Sequence, residues 1–169
     1  MMNLFNPKGF FVVEHLGKNG KLKGRYKMPN GITNQGRNQI LNVMFNAEAQ
    51  IANNSWFIGL IDITSFVALA ATDTAAQIGG SNGWNEFTLY SEANRVAWGS
   101  GTTTTQTTSN ASPATFNISG GSGTVKGVFV VTNNTKTGTS GKLWATALFS
   151  ADVPVTTGDQ LKVTYSVTA

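Results

Sequence analysis

The chain is predicted to be a mostly β protein, a β-sandwich of jelly-roll type with one short N-terminal helix and a basic N-terminal arm or hairpin. Three observations carry this. The last third of the chain, from Thr124 to Ala169, reads as three successive strands. The final one alternates without a break: Leu161, Val163, Tyr165 and Val167 point one way, and Lys162, Thr164, Ser166 and Thr168 the other. Such a period of two is the pattern of a half-buried strand. Second, charged residues make up only 12% of the 169, and Gly, Thr, Ser and Asn fill the gap, as turns and strands of a loop-rich β protein require. Third, about eight strand-like segments are separated by Gly-, Thr- and Asn-rich turns, the spacing of a sandwich, with a closed barrel as the alternative.

Taken in order, Pro7 and Gly9 break the first residues into a loose start. Phe10 to Leu16 is a strand, Gly17-Lys18-Asn19-Gly20 a turn in which Asn-Gly supplies positive φ, and Lys21 to Met28 the returning strand. On that strand Leu22, Tyr26 and Met28 share one face and Lys21, Lys23, Arg25 and Lys27 the other, which calls for an acidic group or water opposite. After the turn Pro29-Asn30-Gly31, Ile40, Leu41, Met44 and Phe45 recur at helical spacing. They predict a helix capped by Thr33 or Asn34, ending near Asn46, with that stripe in the core. Ser55 to Ile63 is a strand in which Gly59 marks a close backbone approach or a bulge.

Ala68 to Ile78 predicts a short helical turn begun by Thr72 or Asp73, and Gly79 to Gly83 a flexible loop. Trp84 to Tyr90 and Arg95 to Trp98 are strands flanking a turn. Gly99 to Ser109 is a low-complexity loop, and Asn110 to Ile118 an edge strand entered through Pro113. The runs Val125–Val131 and Leu143–Phe149 are apolar on both faces. They fit strands buried on both sides, or buried on one side in the fold and on the other in an interface. Residues 1–28 are expected to form an arm or hairpin removable from a single sandwich domain at 29–169.

Composition narrows the function. With no cysteine, disulfides, thiol catalysis and thiolate metal sites are excluded. No apolar run approaches the ~20 residues of a membrane span, and Phe10–Val13 is too short for a signal-peptide core. The single histidine, His15, neighbours Glu14 on a strand where adjacent side chains diverge, so it reads as structural rather than as a catalytic base or metal ligand. Among eight carboxylates, Glu86 and Glu92 are the nearest pair for glycoside chemistry. The plain reading makes Glu86 a surface residue, Glu92 a turn cap and Asp159, after Gly158, a turn residue. No phosphate-binding loop is present. No catalytic residue, metal site or cofactor is expected, and the chain is read as non-enzymatic.

The charge is unevenly placed. Residues 1–37 hold seven of the twelve basic residues and one of the eight acidic ones, so the net charge of +4 belongs to the N-terminal segment. That segment suits an acidic protein surface or nucleic acid. Nucleic acid is not the expected partner, because few aromatics are interleaved with the basic residues. The plain reading is a solvated hairpin whose lysines guard a sheet edge. Trp84, Tyr90, Trp98 and Trp144 are candidates for a subunit interface or, alternatively, for a face on which sugar rings stack.

The segment Asn30-Gly31-Ile32-Thr33-Asn34 leading into a helix, then Trp56-Phe57-Ile58-Gly59-Leu60-Ile61, resembles small structural proteins of tailed-bacteriophage particles. So do Gly83-Trp84-Asn85-Glu86-Phe87, Tyr90-Ser91, Arg95-Val96-Ala97-Trp98, Leu143-Trp144-Ala145 and Gly158-Asp159-Gln160-Leu161-Lys162-Val163-Thr164-Tyr165. The likeness spans roughly residues 30–168. It implies a virion component, foremost a capsid decoration (cement) protein, made in the host cytoplasm and bound as a dimer or trimer to the major capsid protein on the capsid surface. On that reading Lys18, Lys21, Lys23, Arg25 and Lys27 contact the coat, and the two-faced strand Leu143–Phe149 buries one face against a sister subunit. A tail or fibre module binding host carbohydrate and a tail or neck connector are the alternatives.

Overall fold

A computed structural model describes residues 7–80, 83–103 and 105–169. Eleven strands and one α-helix are formed among them. In chain order they are β1 (Lys8–Leu16), β2 (Leu22–Pro29), β3 (Gly31–Ile32), α1 (Asn34–Phe45), β4 (Phe57–Asp62), β5 (Glu86–Phe87), β6 (Val96–Ala97), β7 (Thr107–Ser109), β8 (Ala114–Asn117), β9 (Gly123–Val131), β10 (Leu143–Val155) and β11 (Gln160–Thr168). All pairings are antiparallel and build two sheets. The first runs β2-β1-β11, with β7 and β8 both on the far edge of β11. The second runs β3-β10-β9-β4, with β5 and β6 both on β4.

The alternation seen in the sequence decides what faces the space between the sheets. Phe11 and Val13 of β1 and Leu161, Val163 and Tyr165 of β11 enter it from the first sheet. Ile58, Leu60, Val128, Val130, Ala145 and Ala147 meet them from the second, all buried. Each fully buried large apolar side chain contributes about 1.5–3 kcal/mol relative to exposure.

The basic hairpin forms as expected, but it is not an appendage. β1 pairs with β11 over its whole length, from Lys8 opposite Thr168 to Leu16 opposite Gln160, and lies between β11 and β2. Removing residues 1–28 would take Phe11, Val13 and His15 out of the core, so the boundary expected at residue 28 does not divide the molecule. The described residues form one sandwich with the hairpin inside it.

The outward side of the two-faced apolar strands is covered in part within one chain, while Leu148 on β10 stays 36% exposed. The outward side of the second sheet carries Ile61, Phe129, Val131 and Leu143, which are covered by Ala75, Ile78 and Trp84 with Phe66 and Leu69. These five residues, all between β4 and β5, therefore form a lid over the sheet. Its helical turn is a short 3₁₀ stretch at Ala75–Ile78, capped by Thr74 rather than Thr72 or Asp73. No sister subunit is needed to bury that side of Leu143.

Two further expectations are corrected. Helix α1 has the anticipated cap, the Thr33 hydroxyl accepting from the Gly36 amide, and ends at Asn46. Its apolar stripe, however, is not core. Leu41, Met44 and Phe45 are 50%, 62% and 73% exposed. The helix docks instead through its first turns, where Gly36 lies so close to Trp144 that a Cβ would come within 2.6 Å of the Trp144 carbonyl oxygen. The second correction concerns the Gly/Thr stretch: Thr107–Ser109, expected in a loop, is strand β7, joined to the end of β11. Residues 81 and 82 of the expected Gly79–Gly83 loop lie outside the described residues.

Candidate functional site

The outward face of the first sheet gathers most of the positive charge. Lys8, Phe10, Val12, Glu14 and Leu16 of β1 alternate with the buried set. Exposed Lys23, Arg25 and Lys27 run alongside on the edge strand β2, and Lys162 lies on β11. Lys18 and Lys21 extend the patch around the hairpin turn, where they flank a shallow concavity with Lys23 and Asp159 at its wall. The four lysines and one arginine expected to contact a partner therefore share one region.

The repulsion that this stripe implies is relieved locally. Glu14 stands opposite Arg25 on one side and Lys162 on the other, and its Oε1 lies 3.5 Å from Arg25 Nε. The ammonium of Lys27 sits 4.5 Å from the centre of the Phe10 ring, a cation–π contact. Lys23 donates to Asp159 Oδ2 at 2.8 Å. Among the described residues, Lys8, Lys18, Lys21 and most of the charge of Arg25 and Lys27 remain uncompensated, beside a strip of half-buried apolar surface at Phe10, Val12 and Leu16.

Asp159 fixes this face to the fold. Its buried carboxylate also meets His15 Nε2 at 2.8 Å and accepts from the Thr156 amide at 3.1 Å. It therefore ties the hairpin to the turn between β10 and β11. The residue is a turn residue, as expected, and His15 is a buried structural partner. Burial opposes ionisation of Asp159, but the Lys23 ammonium, His15 and the Thr156 amide outweigh it and hold the pKa down at about 2. A carboxyl whose pKa is lower in the folded chain than its ordinary 3.8 adds stability above the ordinary value and loses it as pH falls through the lowered one. Asp159→Asn is thus expected to lower stability at neutral pH by about 1–3 kcal/mol. Urea unfolding of both proteins should show the difference shrinking as pH is taken from 3.8 toward about 2. A pH-independent difference would contradict this role.

The candidate aromatic face is not assembled. Trp84 is 0% and Tyr90 3% exposed. Trp84 belongs to the lid and donates to Asp73 Oδ2, and Tyr90 packs edge-on against Phe116 in the main core. Trp98 and Trp144 lie elsewhere, at one end of the sandwich, with Trp56 as a third indole that sequence reading had placed only as part of a strand. A shared sugar-stacking plane of Trp84, Tyr90 and Trp98 does not exist.

The acidic pair also has other duties. Glu86 is not a surface residue: its carboxylate is fully buried and takes a two-pronged bond from Arg95, Nε to Oε1 at 2.9 Å and an Nη to Oε2 at 2.8 Å. The Thr137 amide donates to the same carboxylate at 2.5 Å. Glu92, expected to cap its own turn, instead accepts from the amide and side chain of Asn117 and so ties that turn to the end of β8. Burial, then the Glu86 charge, pushes the Tyr90 phenol far above its ordinary pKa, so this cluster is a set of locked structural groups.

Among the described residues no three His, Cys, Asp or Glu side chains gather as a metal site, and no helix is long and apolar enough to cross a membrane. A scan against protein-family models and a search of curated proteins returned no match.

Proposed function

We propose that this chain is a non-enzymatic structural protein of a phage particle, which binds the outer surface of the capsid and stabilises it by bridging coat subunits. The observation that carries the proposal is the outward face of the first sheet. It is broad, rigid and basic, it has an apolar strip at its centre, and its charges are set on paired strands rather than on a mobile arm. A surface of that kind suits an extended acidic protein partner, where interface area rather than a pocket supplies the affinity. The resemblance over residues 30–168 supplies the identity of the partner, the major capsid protein. The jelly-roll form of the sandwich belongs to the same reading. Assembly as a dimer or trimer is also part of it, with the Leu143 end of β10 covered by the chain itself and Leu148 left exposed.

Charge reversal is the test, since truncating the hairpin would unfold the sheet. The triple variant Lys21→Glu, Arg25→Glu, Lys27→Glu leaves the Asp159 cluster intact. It is expected to keep the wild-type circular dichroism and to lose at least ~10-fold in affinity for coat-protein shells in a salt-dependent manner, because exposed charges act through a screened field. Unchanged binding by this folded variant would remove the basic face from the account.

A further inference from the structure

We propose that the pocket lined by Trp56, Trp98, Thr108, Val130, Trp144 and Val167 is a binding site for a small, uncharged, apolar ligand, aromatic or branched aliphatic in class. The pocket lies between the two sheets at one end of the sandwich: β9 and β10 with the flanks of β4 and β6 form one wall, β7 and β11 the other. Its volume is about 250 Å³. An apolar protein hollow of ~150 Å³ is enough to take up benzene.

The walls are held open by hydrogen bonds. Trp98 Nε1 donates to the Tyr165 carbonyl at 3.0 Å, and Trp144 Nε1 to the Tyr165 hydroxyl at 2.7 Å. Tyr165 is itself fixed, stacked on Phe11 with ring centres 4.2 Å apart and its hydroxyl bonded by Asn30. The Trp56 ring stands edge-on to Trp144 at 5.9 Å. The pocket opens to solvent past the half-buried Trp56, Thr108, Trp144 and Val167. Two of its three rings, Trp98 and Trp144, are anchored to one buried tyrosine and so cannot swing in to fill it.

The same bonds define the ligand. Two of the three indole donors are already committed, and the Thr108 hydroxyl donates to the Gly101 carbonyl at 3.2 Å. The lining therefore has few polar groups left to orient the hydroxyls of a sugar. No carboxylate lines the pocket to neutralise a cation, although indole faces alone attract one weakly. Shape and dispersion are what the site recognises. This reading does not depend on capsid binding.

The test is a titration of the ¹⁵N-labelled protein followed through its four tryptophan indole signals, with toluene as the probe and glucose and tetramethylammonium in parallel. Toluene is expected to shift Trp56, Trp98 and Trp144 saturably and to leave Trp84, buried under the lid, in place. Thr108→Phe, which fills the pocket, should weaken toluene binding at least ~10-fold; Trp56→Ala, which removes a wall, should also weaken it. The proposal is overturned if toluene produces no saturable shift, or if Trp84 moves equally. Saturation by glucose or tetramethylammonium instead, or toluene binding that survives both substitutions, would overturn it too.

Discussion

Arg95→Ala is expected to lower the stability of the protein by about 3–5 kcal/mol, read from the midpoint of urea unfolding at neutral pH. The arginine and its partner Glu86 are both fully buried, so removing one leaves a charge in a medium that solvates it poorly. The loss reaches beyond the pair. Arg95 also donates to the carbonyls of Asn133 and Gly138, and its own amide donates to the Asn134 carbonyl. Glu86 accepts from Thr137, and Lys136 donates to the Tyr90 carbonyl. The long polar loop between β9 and β10 is thus pinned to the segment from β5 to β6 by one ion pair. The double variant Glu86→Leu, Arg95→Met should recover part of the single-variant loss by removing the unpaired buried charge, but not the share that comes from the Asn133 and Gly138 carbonyls and the Thr137 amide it leaves without a partner. A loss under ~1 kcal/mol for Arg95→Ala would show that the buried pair is not what holds this loop.

The second large effect is expected at Gly59. It lies in the middle of β4 directly opposite Phe129, and a Cβ there would come within 2.1 Å of Cζ of the Phe129 ring. The ring cannot swing away freely. It is fully buried, packs against Trp84 at 5.5 Å and carries the Arg95 guanidinium 5.2 Å from its centre. Gly59→Ala is therefore expected to cost about 1–3 kcal/mol through displaced packing, with Gly59→Val worse because its branches meet the same ring. Relief of the Gly59→Ala defect by Phe129→Leu would identify the ring as the cause. Equal stability of Gly59→Ala and wild type would contradict the packing described.

Gly59 also shows what the sequence makes legible. A glycine inside an apolar strand signals a crowded position, and the strand and the crowding hold, but what approaches Gly59 is the Phe129 ring rather than a neighbouring backbone, and the register shift of β4 lies at Ile61/Asp62. The hairpin turn at Asn19-Gly20, the Thr33 cap and the alternation of β11 hold as read, because each is set within a few residues. What the sequence does not show are relations between distant segments. Periodicity told that Leu41, Met44 and Phe45 share a helix face, but whether anything covers that face depends on where the helix docks, and Gly36 docks it elsewhere. Apolar character on both sides of β9 and β10 signalled covered faces without saying that the cover is Phe66, Leu69, Ala75, Ile78 and Trp84. Glu86 and Arg95 are nine positions apart with a turn between them, and nothing local marks them as partners. Trp56, Trp98 and Trp144 come from three distant segments and meet only when both sheets are formed. The basic stripe, in contrast, was legible as a stripe, while the pairing of β1 with β11 that makes it part of the core was not.

We propose that this protein sits on a phage capsid through its basic sheet face. The most direct measurement is electron microscopy of coat-protein shells assembled without it and then mixed with the purified chain. Regular density over the outer shell, at a stoichiometry matching a symmetry site and with the hairpin face of β1 and β2 turned toward the coat, is the predicted result. Shells that remain bare, or density with that face turned outward, would contradict it.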